Sequence, residues 1–161
     1  MTEPVDLTGF TGWVPFADLP SADVPTGPGV YVVVRPSDDP PTFLDVSPAG
    51  HFKGKDPTVP VTELQALWVP EARIVYFGKA NAGKSGKRGL RVRLNEYRKY
   101  GAGSHTTAHE GGRRIWQLAD HAKLLVGWRV TNDADARKIE TALIAEFRAH
   151  YGVRPFANGA D

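Results

Sequence analysis

The chain has 161 residues, enough for one domain with a single core but rarely for two. Apolar residues make up 41% and charged residues 24%, as in ordinary globular proteins, and no apolar run reaches the roughly 20 residues that a membrane span needs. The lack of cysteine excludes disulfides, thiolate metal sites and cysteine nucleophiles.

The N-terminal segment, residues 1–28, contains five prolines and predicts an irregular lead-in packed on the domain, with a short turn around Phe16–Pro20. Its first ten residues include acids and a proline where a secretory signal would have basic residues and then an apolar stretch. We therefore expect a cytoplasmic protein that does not enter membranes. The domain itself is expected over residues 29–161.

Two apolar, β-branched segments predict the first strands. Val30–Arg35 follows a Pro-Gly pair and ends before Pro36, and Arg73–Phe77 precedes a glycine-rich turn. Between them, residues 36–71 predict an insertion that contains a hairpin, formed by TFLDV and HFKG, and a short helix, VTELQALW.

The second half of the chain shows both helix and strand patterns. GLRVRLNEYRKY, residues 89–100, has helical spacing and stops at Gly101, IWQL predicts one further helical turn, and KLLVGWRV predicts a third strand. The last helix is expected to begin at Asp133 or Asp135 and to end at Gly152. Together these elements predict an α+β domain.

Charge is distributed unevenly along the chain. Residues 1–72 contain three basic and ten acidic side chains. Residues 73–161 contain seventeen basic and eight acidic side chains. Eight basic residues and a single acid, Glu96, lie between Lys79 and Lys99. Such a cluster is typical of a surface that contacts a phosphate backbone, although a solvated helix face has the same composition.

The stretch GKANAGKS, Gly78–Ser85, matches the phosphate-binding pattern G-x-x-x-x-G-K-[ST]. In a nucleotide-binding loop, the Lys-Ser pair opens a helix whose N–H groups point at the phosphates. Here GKRG follows Ser85, and each glycine costs about 1 kcal/mol relative to alanine in a helix, so we predict a helix start near Leu90. The third strand also lacks a terminal aspartate to hold magnesium. A nucleotide-binding loop is the weakest interpretation.

Two tripeptides, GVY at Gly29–Tyr31 and YFG at Tyr76–Gly78, resemble the motifs that name the GIY-YIG nuclease family. The resemblance continues in the family's order with Lys79 after the second motif, an arginine on the next helix, a glutamate in the last helix, and Asn158. It covers most of the chain. It implies a small antiparallel three-stranded sheet flanked by helices, with residues 36–71 inserted between the first two motif strands.

Helical geometry selects the glutamate. On a wheel of about 100° per residue, apolar residues of the last helix fall in one arc of roughly 140°, and Glu140 lies near its middle. Glu146 lies at the edge of that arc and can reach water. A carboxylate within an apolar stripe loses hydration unless a metal ion or another cation compensates it. Both a metal ligand and a structural ion pair with an arginine fit this position.

The arginine is selected in the same way. Arg93 lies beside the apolar face that Leu90, Leu94 and Tyr97 define, whereas Arg91 projects towards solvent. Arg93 is therefore the candidate site residue. The alternative is a side chain whose stem packs along the edge of the core with its guanidinium in water.

The resemblance implies a divalent-metal-dependent endonuclease that hydrolyses phosphodiester bonds in DNA. One ion, Mg²⁺ or Mn²⁺, would be held by Glu140 and would keep most of its waters. Arg93 would stabilise the negative charge that builds on the phosphate. Tyr76 would position the water or the phosphate, and Asn158 would brace the site through hydrogen bonds.

The same resemblance makes Tyr31 the general base that acts on the attacking water. Because a phenol has an ordinary pKa of about 10, we expect a nearby cation such as Lys79 to lower the pKa of Tyr31. Many relatives carry a histidine one turn after the arginine, and this chain has Tyr97 there. Tyr97 could serve as a phenolic donor or as a base.

Basic residues near these motifs, together with one tyrosine, are the candidates for contact with nucleic acid. They are Lys84, Lys87, Arg88, Arg91, Tyr97, Arg113 and Arg114. The two last arginines belong to the loop GAGSHTTAHEGGRR, residues 101–114. His105 and His109 of this loop could share a zinc ion only on a helix, which the flanking glycines oppose. The alternative to a nuclease is a catalytically inactive nucleic-acid-binding module with the same fold, and the oligomeric state stays open.

Overall fold

The computed structural model describes residues 4–83, 86 and 88–159, and it has an α+β fold built on one four-stranded antiparallel sheet. The strands are β1 (Thr11–Pro15), β2 (Gly29–Val34), β3 (Ile74–Ala80) and β4 (Leu125–Val130), in the spatial order β1-β4-β2-β3. The α-helices are α1 (Val61–Leu67), α2 (Leu90–Gly101) and α3 (Asp133–Tyr151). Short 3-10 helices span Phe16–Ser21, Phe52–Gly54, Glu110–Gln117 and His121–Lys123. The predicted α+β class is confirmed.

The sheet has four strands, so the prediction of three is wrong. The additional strand, β1, comes from the N-terminal segment that we predicted as irregular, and it pairs antiparallel with β4. Its sequence, TGWVP, contains a glycine and a proline, which are both depleted in strands, and its register shifts between Gly12 and Val14. Pairing with the edge of β4 therefore forms a strand where local propensity predicts none.

Strands β2 and β3 pair antiparallel, with Tyr31 opposite Gly78 and Val33 opposite Tyr76. Because side chains alternate across a strand, both tyrosines lie on one face, with ring centroids 6.2 Å apart. The antiparallel pairing that the resemblance implies is confirmed for these two strands. A Cβ atom at Gly78 would lie 2.3 to 2.6 Å from atoms of the Tyr31 ring and hydroxyl, so only glycine leaves room for this tyrosine.

Each face of the sheet buries its own apolar cluster. On one face, Tyr31 and Val33 pack with Leu94 of α2. On the other face, Val32 packs with Phe147 of α3. Strand β2 is covered on both sides, which explains why its sequence is apolar throughout instead of alternating with polar residues.

The helix boundaries agree with the sequence pattern. Helix α2 begins at Leu90 and α3 begins at Asp133, as predicted. The side chain of Asn132 caps α3 by accepting a hydrogen bond from the backbone N–H of Asp135 at 2.8 Å. No helix in the described part of the chain combines the length and apolar character that crossing a membrane requires.

The insertion, residues 36–71, contains the predicted short helix as α1 but not the predicted hairpin. Phe43 forms an isolated antiparallel bridge with Leu118, and the HFKG stretch contains the 3-10 turn Phe52–Gly54. The hairpin prediction is therefore wrong. The backbone of this segment pairs with the core of the domain rather than with itself.

One buried amide attaches the insertion to that core. The side-chain oxygen of Gln117 accepts a hydrogen bond from the backbone N–H of Val59 at 2.7 Å. Its Nε2 donates to the carbonyl oxygens of Leu44 and Val59 at 3.0 and 2.9 Å. Gln117 is fully buried and Val59 is 4% exposed, so the two backbone groups of Val59 have no water to replace this amide.

We expect Gln117→Leu to lower the free energy of unfolding by at least about 2 kcal/mol, because it leaves buried donors and acceptors unpaired. Urea denaturation followed by circular dichroism measures this change. The control is Gln65→Leu, since Gln65 is exposed on α1. Equal stability of the two variants would contradict a structural role for the Gln117 amide.

Candidate active site

A cleft of about 840 Å³ opens between β3, α3 and the C-terminal segment. Its walls include four of the six predicted catalytic residues, Tyr76, Lys79, Glu140 and Asn158. Four arginines also line it, namely Arg113, Arg114, Arg137 and Arg148. Glu140 is the only acid among the described residues of these walls, so a single carboxylate faces a cationic surface.

Glu140 lies on α3 beside the buried side chains of Ile144 and Leu143, and it is partly buried itself. Burial raises the pKa of its carboxyl above the ordinary value, and the nearby charges of Lys79 and Arg137 oppose this shift. None of the ion pairs within the described residues involves Glu140. The structural ion pair that the sequence left open is therefore not formed.

Tyr31 lies deeper than the cleft wall. It is 1% exposed, whereas Tyr76 is 8% exposed and lines the cleft. Burial raises the pKa of Tyr31 well above its ordinary value, Tyr76 adds to the increase, and Arg93 opposes it. The expected lowering of this pKa by Lys79 is therefore wrong, because desolvation of the phenol outweighs the nearby positive charge.

His109 contacts Tyr31, and sequence reasoning did not assign it a role with this tyrosine. The Nε2 atom of His109 and the Tyr31 hydroxyl form a hydrogen bond. The imidazole is 1% exposed and stacks on Tyr97 with ring centroids 3.6 Å apart. Burial lowers the pKa of His109 well below its ordinary value, and Arg93 lowers it further, so this histidine is neutral near pH 7.

Tyr97 supports His109 from α2. It is fully buried, and its hydroxyl donates a hydrogen bond to the carbonyl oxygen of Gly112 at 2.7 Å. A Cβ atom at Gly112 would lie 2.3 Å from that hydroxyl oxygen, so the close approach requires glycine. Tyr97 has no surface to offer nucleic acid in this structure, and its contacts are those of a residue that holds the His109 ring.

Arg93 borders a smaller cavity of about 330 Å³, together with Lys79 and Arg88. Lys79 lines both this cavity and the Glu140 cleft, so the two adjoin at β3. The Arg93 Nη1 atom donates to the carbonyl oxygen of Ala108 at 3.3 Å and lies 3.5 Å from Glu96. Arg93 therefore anchors the segment that carries the neighbouring residue His109.

The remaining basic candidates are spread over several surfaces. Arg91 donates to the carbonyl oxygen of Val24 at 2.8 Å, on a flank that lines neither cavity. Arg88 pairs with Glu96 at 2.6 Å. Lys84 and Lys87 lie outside the described residues. Gly78–Ala80, which begin the GKANAGKS stretch, belong to strand β3 rather than to a loop.

Arg113 and Arg114 lie on the 3-10 helix Glu110–Gln117, which begins five residues earlier than the turn predicted at IWQL. Both line the Glu140 cleft. The Nη1 atom of Arg113 donates to the Glu110 carbonyl oxygen at 3.1 Å, and that of Arg114 donates to the Phe156 carbonyl oxygen at 3.2 Å. These backbone contacts hold both guanidinium groups at the cleft.

His105 and His109 have separate partners. His105 Nδ1 accepts a hydrogen bond from the backbone N–H of His51 at 2.8 Å. The partners of His109 are different residues, Tyr31 and Tyr97. Neither histidine is on a helix. Within the described residues, no three or more His, Asp or Glu side chains converge as a metal-binding group.

Asn158 closes the outer edge of β3. Its Oδ1 accepts from the backbone N–H of Phe77 at 3.0 Å, and its Nδ2 donates to the Phe77 carbonyl oxygen at 2.9 Å. The backbone N–H of Ala157 donates to the carbonyl oxygen of Val75 at 2.8 Å. The C-terminal segment thus satisfies the edge of the strand that carries Tyr76.

Comparisons of this chain with protein-family models, with curated proteins and with solved structures give no match. The geometry of the site must therefore be interpreted from its own residues. Residues from β3, α3 and the C-terminal segment line the cleft, and Tyr31 of β2 and Tyr97 of α2 lie behind its wall beside Tyr76, although all are widely separated in the sequence.

Glu140→Gln should raise the free energy of unfolding at pH 7 to 8 in the absence of divalent metal. The folded-state pKa of Glu140 is raised, so its ionised form destabilises the fold above that pKa, and this cost disappears as the pH falls below the ordinary value of 4.5. Urea denaturation at a series of pH values measures the difference. Glu146→Gln, at an exposed position of α3, is the control. A loss of stability in Glu140→Gln at neutral pH would instead indicate a stabilising ion pair.

Proposed function

We propose that this chain is a divalent-metal-dependent endonuclease of the GIY-YIG type that hydrolyses phosphodiester bonds in DNA. The observation that supports this proposal is the arrangement of the Glu140 cleft. A desolvated carboxylate without an ion-pair partner faces several cations, and a buried tyrosine and histidine pair lies directly behind the wall.

The cations suit a substrate that carries several negative charges. Lys79, Arg113 and Arg137 line the cleft beside Glu140, and Lys79 also lines the cavity of Arg93. Arginine and lysine bind phosphate oxygens through charge-assisted hydrogen bonds. In this proposal, the scissile phosphate lies where the two cavities adjoin at Lys79, and Arg93 donates to its non-bridging oxygens as negative charge builds.

Glu140 fits a hard divalent cation, because its carboxylate is partly desolvated and pairs with no cation in the described structure. When bound there, Mg²⁺ or Mn²⁺ polarises the phosphate and stabilises the leaving oxygen. The surrounding arginines repel a free cation, so we expect the metal to bind together with the anionic substrate rather than before it.

The buried pair of Tyr31 and His109 offers a route for the proton of the attacking water. Tyr76 reaches the cleft, its ring lies beside that of Tyr31 with centroids 6.2 Å apart, and the Tyr31 hydroxyl hydrogen-bonds to His109. In the proposed step, the water gives its proton to this chain of hydroxyls, each hydroxyl passes one proton on, and the last reaches Nε2 of His109. The neutral imidazole can accept it, and the negative charge building on the phosphate favours the resulting imidazolium.

This route gives Tyr31 the role of a relay rather than of a phenolate base. Its raised pKa keeps the phenol protonated near pH 7, so it can take a proton only while it donates its own. His109 then acts through Tyr31 and is a positioning residue and proton acceptor, without contact to the substrate.

Glu140→Gln should abolish metal-dependent cleavage of DNA while the fold and the affinity for DNA are retained. The amide preserves the shape of the side chain but loses the charge that holds Mg²⁺. Labelled duplex, nicked, flapped and branched DNA, incubated with Mg²⁺ or Mn²⁺ and with chelator, provide the assay. The control Glu146→Gln should cleave like the unaltered protein. Undiminished cleavage by Glu140→Gln would overturn the mechanism, and DNA binding without any cleavage by the unaltered protein would favour the inactive module.

His109→Gln should lower kcat by about 10²- to 10⁴-fold, the usual contribution of a proton acceptor, with little change in KM. Without the imidazole, cleavage depends on ionised Tyr31, whose pKa is raised, so the residual rate should keep increasing with pH after the unaltered protein has levelled off. Single-turnover rates from pH 6 to about 10 test both statements. His105→Gln, at an exposed position of the same segment, is the control. A reduced rate with an unchanged pH profile would leave His109 a structural role only.

A further inference from the structure

A second cleft, of about 580 Å³, continues from the first along the C-terminal end of α3. The two clefts share Arg114, Arg148, Asn158 and Gly159 in their walls. A strand bound at Glu140 can therefore extend into the second cleft past two arginines. Nothing in the proposed chemistry uses this space.

The walls of the second cleft combine arginine with flat, apolar surface. Arg154 lines it in addition to the two shared arginines, and no acid is found among its described lining residues. Its apolar and aromatic lining includes Trp68, Pro70, Tyr151, Val153 and Pro155. Guanidinium groups bind phosphate, and aromatic or proline surfaces stack with nucleobases, so the lining has partners for both parts of a nucleotide.

The arginines at the junction are available to a ligand. The side chain of Arg148 forms no ion pair within the described part of the chain. Arg114 donates through Nη1 to a backbone carbonyl, and among residues 4–83, 86 and 88–159 no carboxylate forms an ion pair with its guanidinium. Glu63 lies near enough to attract Arg114 but forms no ion pair with it.

The rings of the second cleft are held by their own packing. Trp68 packs edge-to-face on Phe43 and Phe156, with centroids 6.1 and 5.2 Å apart. Tyr151 packs on Phe147 at 4.5 Å. Fixed rings lose little conformational entropy when a base stacks on them, which favours binding.

We propose that the second cleft binds an unpaired nucleotide next to the scissile phosphate, so that the substrate has a single-stranded segment on one side of the cut. A base within a duplex has both faces covered by its neighbours, and exposing one of them requires it to be unstacked at a cost in free energy. An unpaired base meets no such cost. This inference rests on the proposed nuclease function, because that function places a phosphate at Glu140.

Fluorescence anisotropy with the full chain, in chelator so that no cleavage occurs, tests the cleft. The probes are a short blunt duplex, the same duplex with a short single-stranded extension, and that extension made without bases. We expect the extended probe to bind about tenfold more tightly than the blunt one, the effect of one stacked base, and the abasic probe to lose this advantage.

Two matched variants locate the effect. Val153 lines the second cleft and is 52% exposed, and Val130 is 54% exposed on β4 and is not a lining residue of either cleft. Val153→Glu should remove the preference for the extension by repelling its phosphates, while Val130→Glu should keep it. Equal affinity for the blunt and extended probes, an abasic probe that binds as tightly as the extended one, or a preference that survives Val153→Glu would each overturn the subsite.

The outcomes separate the two proposals. In one outcome, the unaltered protein cleaves none of the probes in Mg²⁺ or Mn²⁺ and still binds the extended probe more tightly than the blunt one, with Val153→Glu removing this difference in affinity. In that case the nuclease proposal fails and the nucleotide site stands. If it cleaves the blunt and extended probes at equal rates and binds them equally, the nucleotide site fails and the nuclease proposal stands.

Discussion

The position of the Tyr31 ring is the constraint on which the candidate site depends. The ring crosses Gly78 of the neighbouring strand, where any Cβ atom would collide with it. Its hydroxyl bonds to His109, and the His109 ring is held in turn by stacking on Tyr97. The buried phenol of Tyr31 thus connects β2, β3, α2 and the segment that precedes the 3-10 helix Glu110–Gln117. Because interiors are close-packed, a shift of this ring would move Tyr76 and the cleft wall with it.

The Glu140 carboxylate in the cleft wall is maintained at a cost in stability. Glu140 loses hydration beside the apolar stripe of α3, and the cations around it approach without forming an ion pair. A site that already satisfied its charges would have less affinity for a metal ion and a phosphate. Such an energetic cost is typical of residues retained for function. The arginines that continue from this cleft into the next one extend the same electrostatic surface along α3.

Local patterns account for the parts of the molecule that the sequence predicts correctly. Helical periodicity located α2 and α3 and placed Glu140 and Arg93 beside their apolar faces, because the side chains of a helix repeat every 3.6 residues whatever surrounds it. The motif glycines and β-branched runs located β2 and β3, and the register between them in the folded sheet puts Tyr31 and Tyr76 on one face.

Contacts between distant residues decided the rest. Strand β1 exists because β4 offers an edge, and the TFLDV segment pairs with Leu118 instead of forming a hairpin. The pKa of Tyr31 is raised, not lowered, because the desolvation of a phenol depends on everything packed around it. His109 is 78 residues from Tyr31 in the chain, and no local spacing records their hydrogen bond. The sequence by itself therefore determined the fold class, the helices and the candidate carboxylate. Only the tertiary structure decided which groups are desolvated and which are hydrogen-bonded, because burial and hydrogen bonding are properties of the packed chain.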